Sequence, residues 1–194
     1  MIARATTICG IDEVGRGCLA GDVYACAVVF HSSIPQGMRD SKAIAPKRRY
    51  EMDHAIRQAA HVAIGIATVE EIDAVNILAA TMLAMRRAYD ELAKVVLPDL
   101  VIVDGNRLPD LGRPHSTVAV IGGDALNPVI SAASIAAKVA RDRRMAELHV
   151  DHPDYAWDRN MGYGSPAHLS ALACHGPTCH HRLTFAPVRA AIRA

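Results

Sequence analysis

The chain has 194 residues, 51% hydrophobic and 21% charged, which supplies a sizeable core and argues against disorder. Its 21 basic and 20 acidic side chains leave a net charge of +1, so it is not a generally polycationic binder and any attraction for a polyanion must be local. Aromatics at 4% exclude a broad stacking platform for single strands. Five cysteines are present without a Cys-x-x-Cys pair, which predicts small buried thiols and a reducing cytoplasm. The N-terminal stretch lacks the pattern of a secretory signal, and no apolar run reaches the roughly 18 residues of a membrane-spanning helix.

Hydrophobic period and punctuation predict the elements in chain order. Residues 6–12 form a short apolar strand ending in Gly-Arg-Gly, and residues 23–30 a second strand rich in β-formers. The short connection makes these two antiparallel neighbours. A basic amphipathic helix over 46–60 starts at Pro46, followed by a strand over 62–69. A long helix over 70–93 follows, with Ile72, Val75, Leu78, Met82, Leu83 and Leu92 on or near one face. Short strands over 100–103 and 117–121 precede an Ala-rich helix over 128–149 that turns strongly charged after Lys138. A short helix is expected over 167–174. Strands in a run, then strands alternating with helices, predict one α/β domain over 1–194 with a mixed sheet.

Three strand ends carry acids beside glycine: Asp12-Glu13, Asp104 and Asp124. Carboxylates gathered at one sheet edge repel one another, and one or two hard cations relieve this; oxygen-only donors suit Mg²⁺ or Mn²⁺ rather than Zn²⁺. Two such ions are suited to phosphodiester hydrolysis. Each acid has a plainer reading: Asp104 as a turn former, Asp124 as a helix cap. Adjacent acids after an apolar strand gain nothing for folding, so Asp12-Glu13 is less easily dismissed. Successive strand residues point to opposite faces, so Glu13 joins Asp12 only if the strand breaks there, or if it acts through its backbone or from behind. Gly15-Arg16-Gly17 lets backbone approach a ligand while Arg16 meets a phosphate or carboxylate; its plainer reading is a tight turn with a solvated Arg16. No nucleotide-binding glycine motif of the Rossmann or P-loop kind occurs. In the helix from Pro128, Ser131, Ser134 and Lys138 share a face, while Ala132, Ala133, Ala136 and Ala137 allow close packing on the sheet. Asp142, among Arg141, Arg143 and Arg144, is expected in an ion pair. Lys42, Lys47, Arg48 and Arg49 could form a phosphate footprint, or Arg48 and Arg49 a solvated helix face.

DEVGRG at 12–17, DSK at 40–42, DGN at 104–106, GD at 123–124, SAASIAAKVARDRRM at 131–145, GYG at 162–164, and HR at 181–182 with Phe185 occur in one order. Over about residues 8–188 the chain resembles the ribonuclease HII family, the type 2 ribonucleases H; the first and fifth of these motifs are highly specific. The resemblance implies a ribonuclease H-like fold, a mixed central sheet flanked by helices with a small C-terminal helical extension. It implies a monomeric endonuclease that cleaves the RNA strand of RNA–DNA hybrids. It also implies nicking 5′ of single ribonucleotides in duplex DNA, leaving 3′-hydroxyl and 5′-phosphate ends, as in ribonucleotide and primer removal. The catalytic, metal-holding acids would be Asp12, Glu13, Asp104 and Asp124, with two Mg²⁺ or Mn²⁺ ions. Gly15, Arg16 and Gly17 would sense the 2′-hydroxyl, which distinguishes RNA from DNA. Tyr163 would be the junction tyrosine, Ser41 and Lys42 phosphate contacts, and Ser134 and Lys138 further substrate contacts. The chain departs from the family pattern at Gly122, where a lysine is usual, and at Ser165, where threonine is frequent. Cys174, His175, Cys179, His180 and His181 look like a metal cluster, but their spacing fits no standard zinc finger.

Overall fold

A computed structural model describes residues 6–38, 44–112 and 116–193. Five strands form one sheet: β1 (Ile8–Val14), β2 (Val23–Phe30), β3 (Ala60–Ala67), β4 (Leu100–Asp104) and β5 (Ser116–Val120). Their order is β3-β2-β1-β4-β5. β1–β2 and β2–β3 are antiparallel, β1–β4 and β4–β5 parallel, so the sheet is mixed as expected.

Helix α1 (Pro46–Ala59) runs directly into β3, which begins and ends two residues earlier than its apolar run suggests. The reason is local. Thr68 leaves the strand to cap α2 (Val69–Val75): its hydroxyl accepts from Glu71 N at 3.3 Å, and the Glu71 carboxylate accepts from Thr68 N at 3.0 Å. The single long helix expected over 70–93 is two helices. Asn76, at φ 75°, ends α2 and caps α3 (Ile77–Leu92) by accepting from Leu78 N and Ala79 N at 3.0 and 3.1 Å. Two satisfied donors offset the left-handed backbone, which asparagine tolerates best after glycine.

Strand alternation sends Cys9, Ile11, Ala25 and Ala27 toward α3, where they meet Ala80, Ala84 and Ala88. The other face packs on α1 and on α5 (Pro128–Asp151), whose Ala132, Ala133, Ala136 and Ala137 are fully buried as their spacing predicts. Between β5 and α5 lies a short helix, α4 (Gly123–Leu126).

Beyond α5 come α6 (Trp157–Asn160), α7 (Pro166–His175) and α8 (Ala186–Arg193). They close over a separate apolar cluster of Trp157, Leu172 and Val188 with Leu19, Met145 and Leu148. Only α7 was expected. Trp157 and its neighbours carry no helical period, so α6 is decided by what it packs against. The Ser165 hydroxyl caps α7 by accepting from His168 N at 3.2 Å. No helix of the described residues is long and apolar enough to cross a membrane.

Candidate active site

The parallel pairing of β1 and β4 runs through Ile11 opposite Val103, so the next residues, Asp12 and Asp104, lie side by side where that pairing ends. β5 lies against β4, and its exit through Gly122 and Gly123 brings the Asp124 amide to Asp104 Oδ1 at 3.3 Å. The three strand ends therefore meet at one sheet edge, at the carboxyl ends of the parallel strands, where open α/β sheets bind ligands. Asp124 lies in the first turn of α4 but is not its cap; Gly122 holds that position, without a side-chain bond. A Cβ added at Gly122 would meet nothing within 4 Å.

β1 does not break at Asp12. Asp12, Glu13 and Val14 pair with Cys26, Ala25 and Tyr24, so Asp12 faces α5 and Glu13 faces α3. Both still reach the same site because it lies where the sheet ends. A cavity of about 330 Å³ on the α5 side is lined by Asp12, Glu13, Val14, Arg49, Asp104, Ser134, Lys138 and Tyr163. A smaller one of about 120 Å³ on the α3 side has Glu13 and Asp104 as shared wall, with Arg16, Asn106 and Arg107 opposite Leu78, Met82 and Met85.

Asp12 is 4% exposed. Burial, then the charges of Glu13 and Asp104, hold its carboxyl well above the usual range, against hydrogen bonds from Ser134 and the Glu13 amide. Glu13 is also pushed up by burial, with Arg16 opposing at 3.3 Å from Oε1 and Asp104 adding to the rise. These are carboxylates in want of a cation. Their oxygen-only donors fit Mg²⁺ or Mn²⁺ by type. Among the described residues no three Asp, Glu, His or Cys side chains are gathered closely enough to hold a metal ion as they stand. A divalent cation would offset the mutual repulsion of these carboxylates.

Ser134 and Lys138 line the cavity, as their shared helix face predicts, while Ser131 is buried. Asp142 is in an ion pair, but with residues other than its sequence neighbours: Lys138 Nζ lies 2.6 Å from Oδ1 and Arg49 Nη1 3.2 Å from Oδ2. Two cations share one carboxylate beside the acids. Arg49 is thus buried at the site and not on a solvated face; Arg48 is solvated, pairing with Glu51 at 2.9 Å. Ser41 and Lys42 lie outside the described residues.

Gly15, Arg16 and Gly17 with Tyr163 wall a further concavity contiguous with Glu13. Two fully buried arginines that sequence reasoning missed hold this wall in place. Arg182 donates to the carbonyls of Gly15, Arg16 and Gly21 at 2.7–3.0 Å. Arg141 donates to those of Ala20, Asp22 and Met161 at 2.7–3.0 Å. Burial pulls the Arg182 guanidinium down to about 10, so it stays charged at neutral pH. Gly15 has φ +97°, and a Cβ there would collide with Arg141 Nε. The available signal was phase: Arg141 follows Ser134 and Lys138 on the inward side of α5. Cys174 and Cys179 are exposed free thiols, and His180 packs against the rings of His152 and Trp157.

Asp12, Glu13 and Asp104 share one cavity with Arg49, Lys138 and Tyr163, and Asp124 stands beside Asp104 through its amide. The solved ribonuclease H2 from Pyrococcus horikoshii OT3 has the same fold, with a TM-score of 0.81 at 23% identity over 97% of this chain and 98% of that one. So does a Bst-RNase HIII solved in complex with Mn²⁺, at 0.75 and 18% over 97% and 70%. A family model described as Ribonuclease HII matches residues 9–188. The Ribonuclease HII of Rhizorhabdus wittichii is 53% identical over 188 residues, covering 96% of this chain and 91% of that protein. The chain belongs to the ribonuclease HII family.

Proposed function

We propose that this chain hydrolyses the RNA strand of RNA–DNA hybrids and nicks duplex DNA on the 5′ side of a single embedded ribonucleotide, leaving 3′-hydroxyl and 5′-phosphate ends. Activity on hybrids is the broader part and accompanies family membership. The finer part rests on one observation: Tyr163 lines the cavity that holds Asp12 and Asp104, and also walls the concavity of Gly15, Arg16 and Gly17. A group that reads a 2′-hydroxyl and the groups that break the neighbouring bond thus share one continuous surface.

Asp12, Glu13, Asp104 and Asp124 would hold one or two Mg²⁺ or Mn²⁺ ions. When bound, such ions supply an activated water and stabilise charge on the reacting phosphate and leaving oxygen. The Ser134 hydroxyl, bonded to the Asp12 carboxylate, fixes that carboxylate's orientation. Lys138 and Arg49 attract the phosphate backbone at the cavity rim, giving a nearly neutral protein its local positive charge. Backbone groups of Gly15, Arg16 and Gly17, the first two held through their carbonyls by Arg182, contact the 2′-hydroxyl. Tyr163, 44% exposed, offers a ring face to the sugar at the junction. Ser41 and Lys42 add phosphate contacts. The chain works as one unit over 1–194, as a monomer in a reducing cytoplasm, clearing ribonucleotides and RNA primers from DNA.

The test is a gel assay in Mg²⁺ and in Mn²⁺ on a duplex with one ribonucleotide, an RNA–DNA hybrid and an all-DNA duplex. A single 5′ nick with an untouched all-DNA duplex supports this reading. Tight hybrid binding without turnover in either metal overturns it in favour of a binding module, and cleavage of all-DNA duplex in favour of a DNA nuclease.

A further inference from the structure

The loop that carries Tyr163 ends on a buried histidine pair that hydrolysis leaves unused. Tyr163 O accepts from Ser165 N at 2.8 Å and faces His168 Nδ1 at 2.9 Å. His168 and His181 are both buried, with their Nε2 atoms 3.0 Å apart. Their neighbours dictate where the protons lie. Thr178 N–H donates to His181 Nδ1 at 2.9 Å, so the His181 proton sits on Nε2. The indole N–H of Trp157 donates to His168 Nε2 at 3.2 Å, so the His168 proton sits on Nδ1, against the Tyr163 carbonyl. His181 Nε2–H then points at the same His168 lone pair. Both rings are neutral, in keeping with burial lowering each below the ordinary histidine range.

We propose that His168 is a positioning residue for Tyr163, its proton-bearing nitrogen selected by Trp157 and His181 and presented to the Tyr163 carbonyl. The other neutral tautomer would set a lone pair against that carbonyl and cut the tie. The Tyr163 backbone sets where its side chain begins, so the loop's anchorage bears directly on where the ring stands over the junction. This inference rests on the junction reading of Tyr163 given above.

Two substitutions separate the tie from the core. In His168→Gln the carboxamide reaches the Nε2 position and still accepts from Trp157, but leaves no donor for Tyr163. In His168→Asn the carboxamide stays at the Nδ1 position, keeps that donor and leaves Trp157 without an acceptor. The expected outcome for His168→Gln is faster exchange of the Ser165 amide and a kcat reduced on the order of tenfold on the single-ribonucleotide duplex, with the hybrid rate little changed. His168→Asn is expected to restore that ratio with a lower melting temperature. In a Tyr163→Ala background His168→Gln is expected to change the ratio no further. Equal losses on both substrates for His168→Gln, or an unchanged Ser165 exchange rate, overturn the inference. A neutral Tyr163→Ala would sink the junction reading instead, and the positioning role is then decided by Ser165 exchange alone.

Discussion

The amide of Leu19 donates to the carbonyl of Gly162 at 2.8 Å, joining the segment after the Arg16 loop to the loop of Tyr163. Gly162 has φ +82°, and a Cβ there would stand 2.5 Å from the Ala20 oxygen. The contact therefore exists only with glycine at this position, and Arg141 secures it from below through Ala20 O and Met161 O. The two elements assigned to the RNA–DNA junction are one hydrogen-bonded body, so a disturbance of either reaches the other.

Replacing Asp12 by Asn should cut turnover by on the order of a thousandfold while the fold persists. One of three crowded like charges goes, so the melting temperature without added metal should hold or rise. Steady-state rates and a thermal melt test both halves, and a fully active variant refutes the assignment.

Replacing Arg182 by Met should destabilise the protein by about 3 kcal/mol or more, because the carbonyls of Gly15, Arg16 and Gly21 lose their buried donors. Arg182→Lys keeps a charge but not the fork, and should recover only part. Urea denaturation of the three proteins decides; a methionine variant as stable as the parent counts against this support.

Lys138→Ala should weaken binding about equally on hybrid and single-ribonucleotide duplex, and flatten the slope of log affinity against log salt by about one. Asp142 retains Arg49, so the fold should tolerate the change. Affinities measured over a salt series settle the matter, and an unaltered slope excludes a phosphate contact.

Acidification should test the histidine pair. The unfolded chain protonates His181 near pH 6.5, whereas the folded chain resists until about pH 4. The stability tied to its neutral form is complete above about pH 6.5 and drains as pH falls toward 4, at no more than about 1.4 kcal/mol per pH unit for one proton. Asp12 and Glu13, raised by burial, act in the opposite sense, so the informative quantity is the difference between the parent and His181→Gln. That gap should narrow between pH 7 and pH 4; parallel stability curves would contradict it.

Much of the acidic sheet edge was legible in the residues themselves. The acids follow apolar runs beside glycine, and β2 and the start of α5 fall where period and Pro128 place them. The break at Asn76 was not legible, because its left-handed backbone is compatible with the apolar stripe on both sides of it. Alternation alone allowed Glu13 to join Asp12 only through a strand break, its backbone or a position behind the site, because alternation says nothing of where a sheet ends and both its faces open to one cavity.

By itself the sequence determined the apolar periods, the proline starts at Pro46 and Pro128, the acids after three apolar runs and the motifs of the family. These depend on residues a few positions apart, whose geometry the backbone repeats everywhere. Only the tertiary structure decided that Arg182 grips the carbonyl of Gly15, that Arg49 and Lys138 share Asp142, and that Trp157 and His181 leave His168 one tautomer. An arginine or histidine reads the same in a chain whether water or a carbonyl from a distant loop surrounds it. Its charge state and role follow from desolvation and partners, which exist only once the chain has folded.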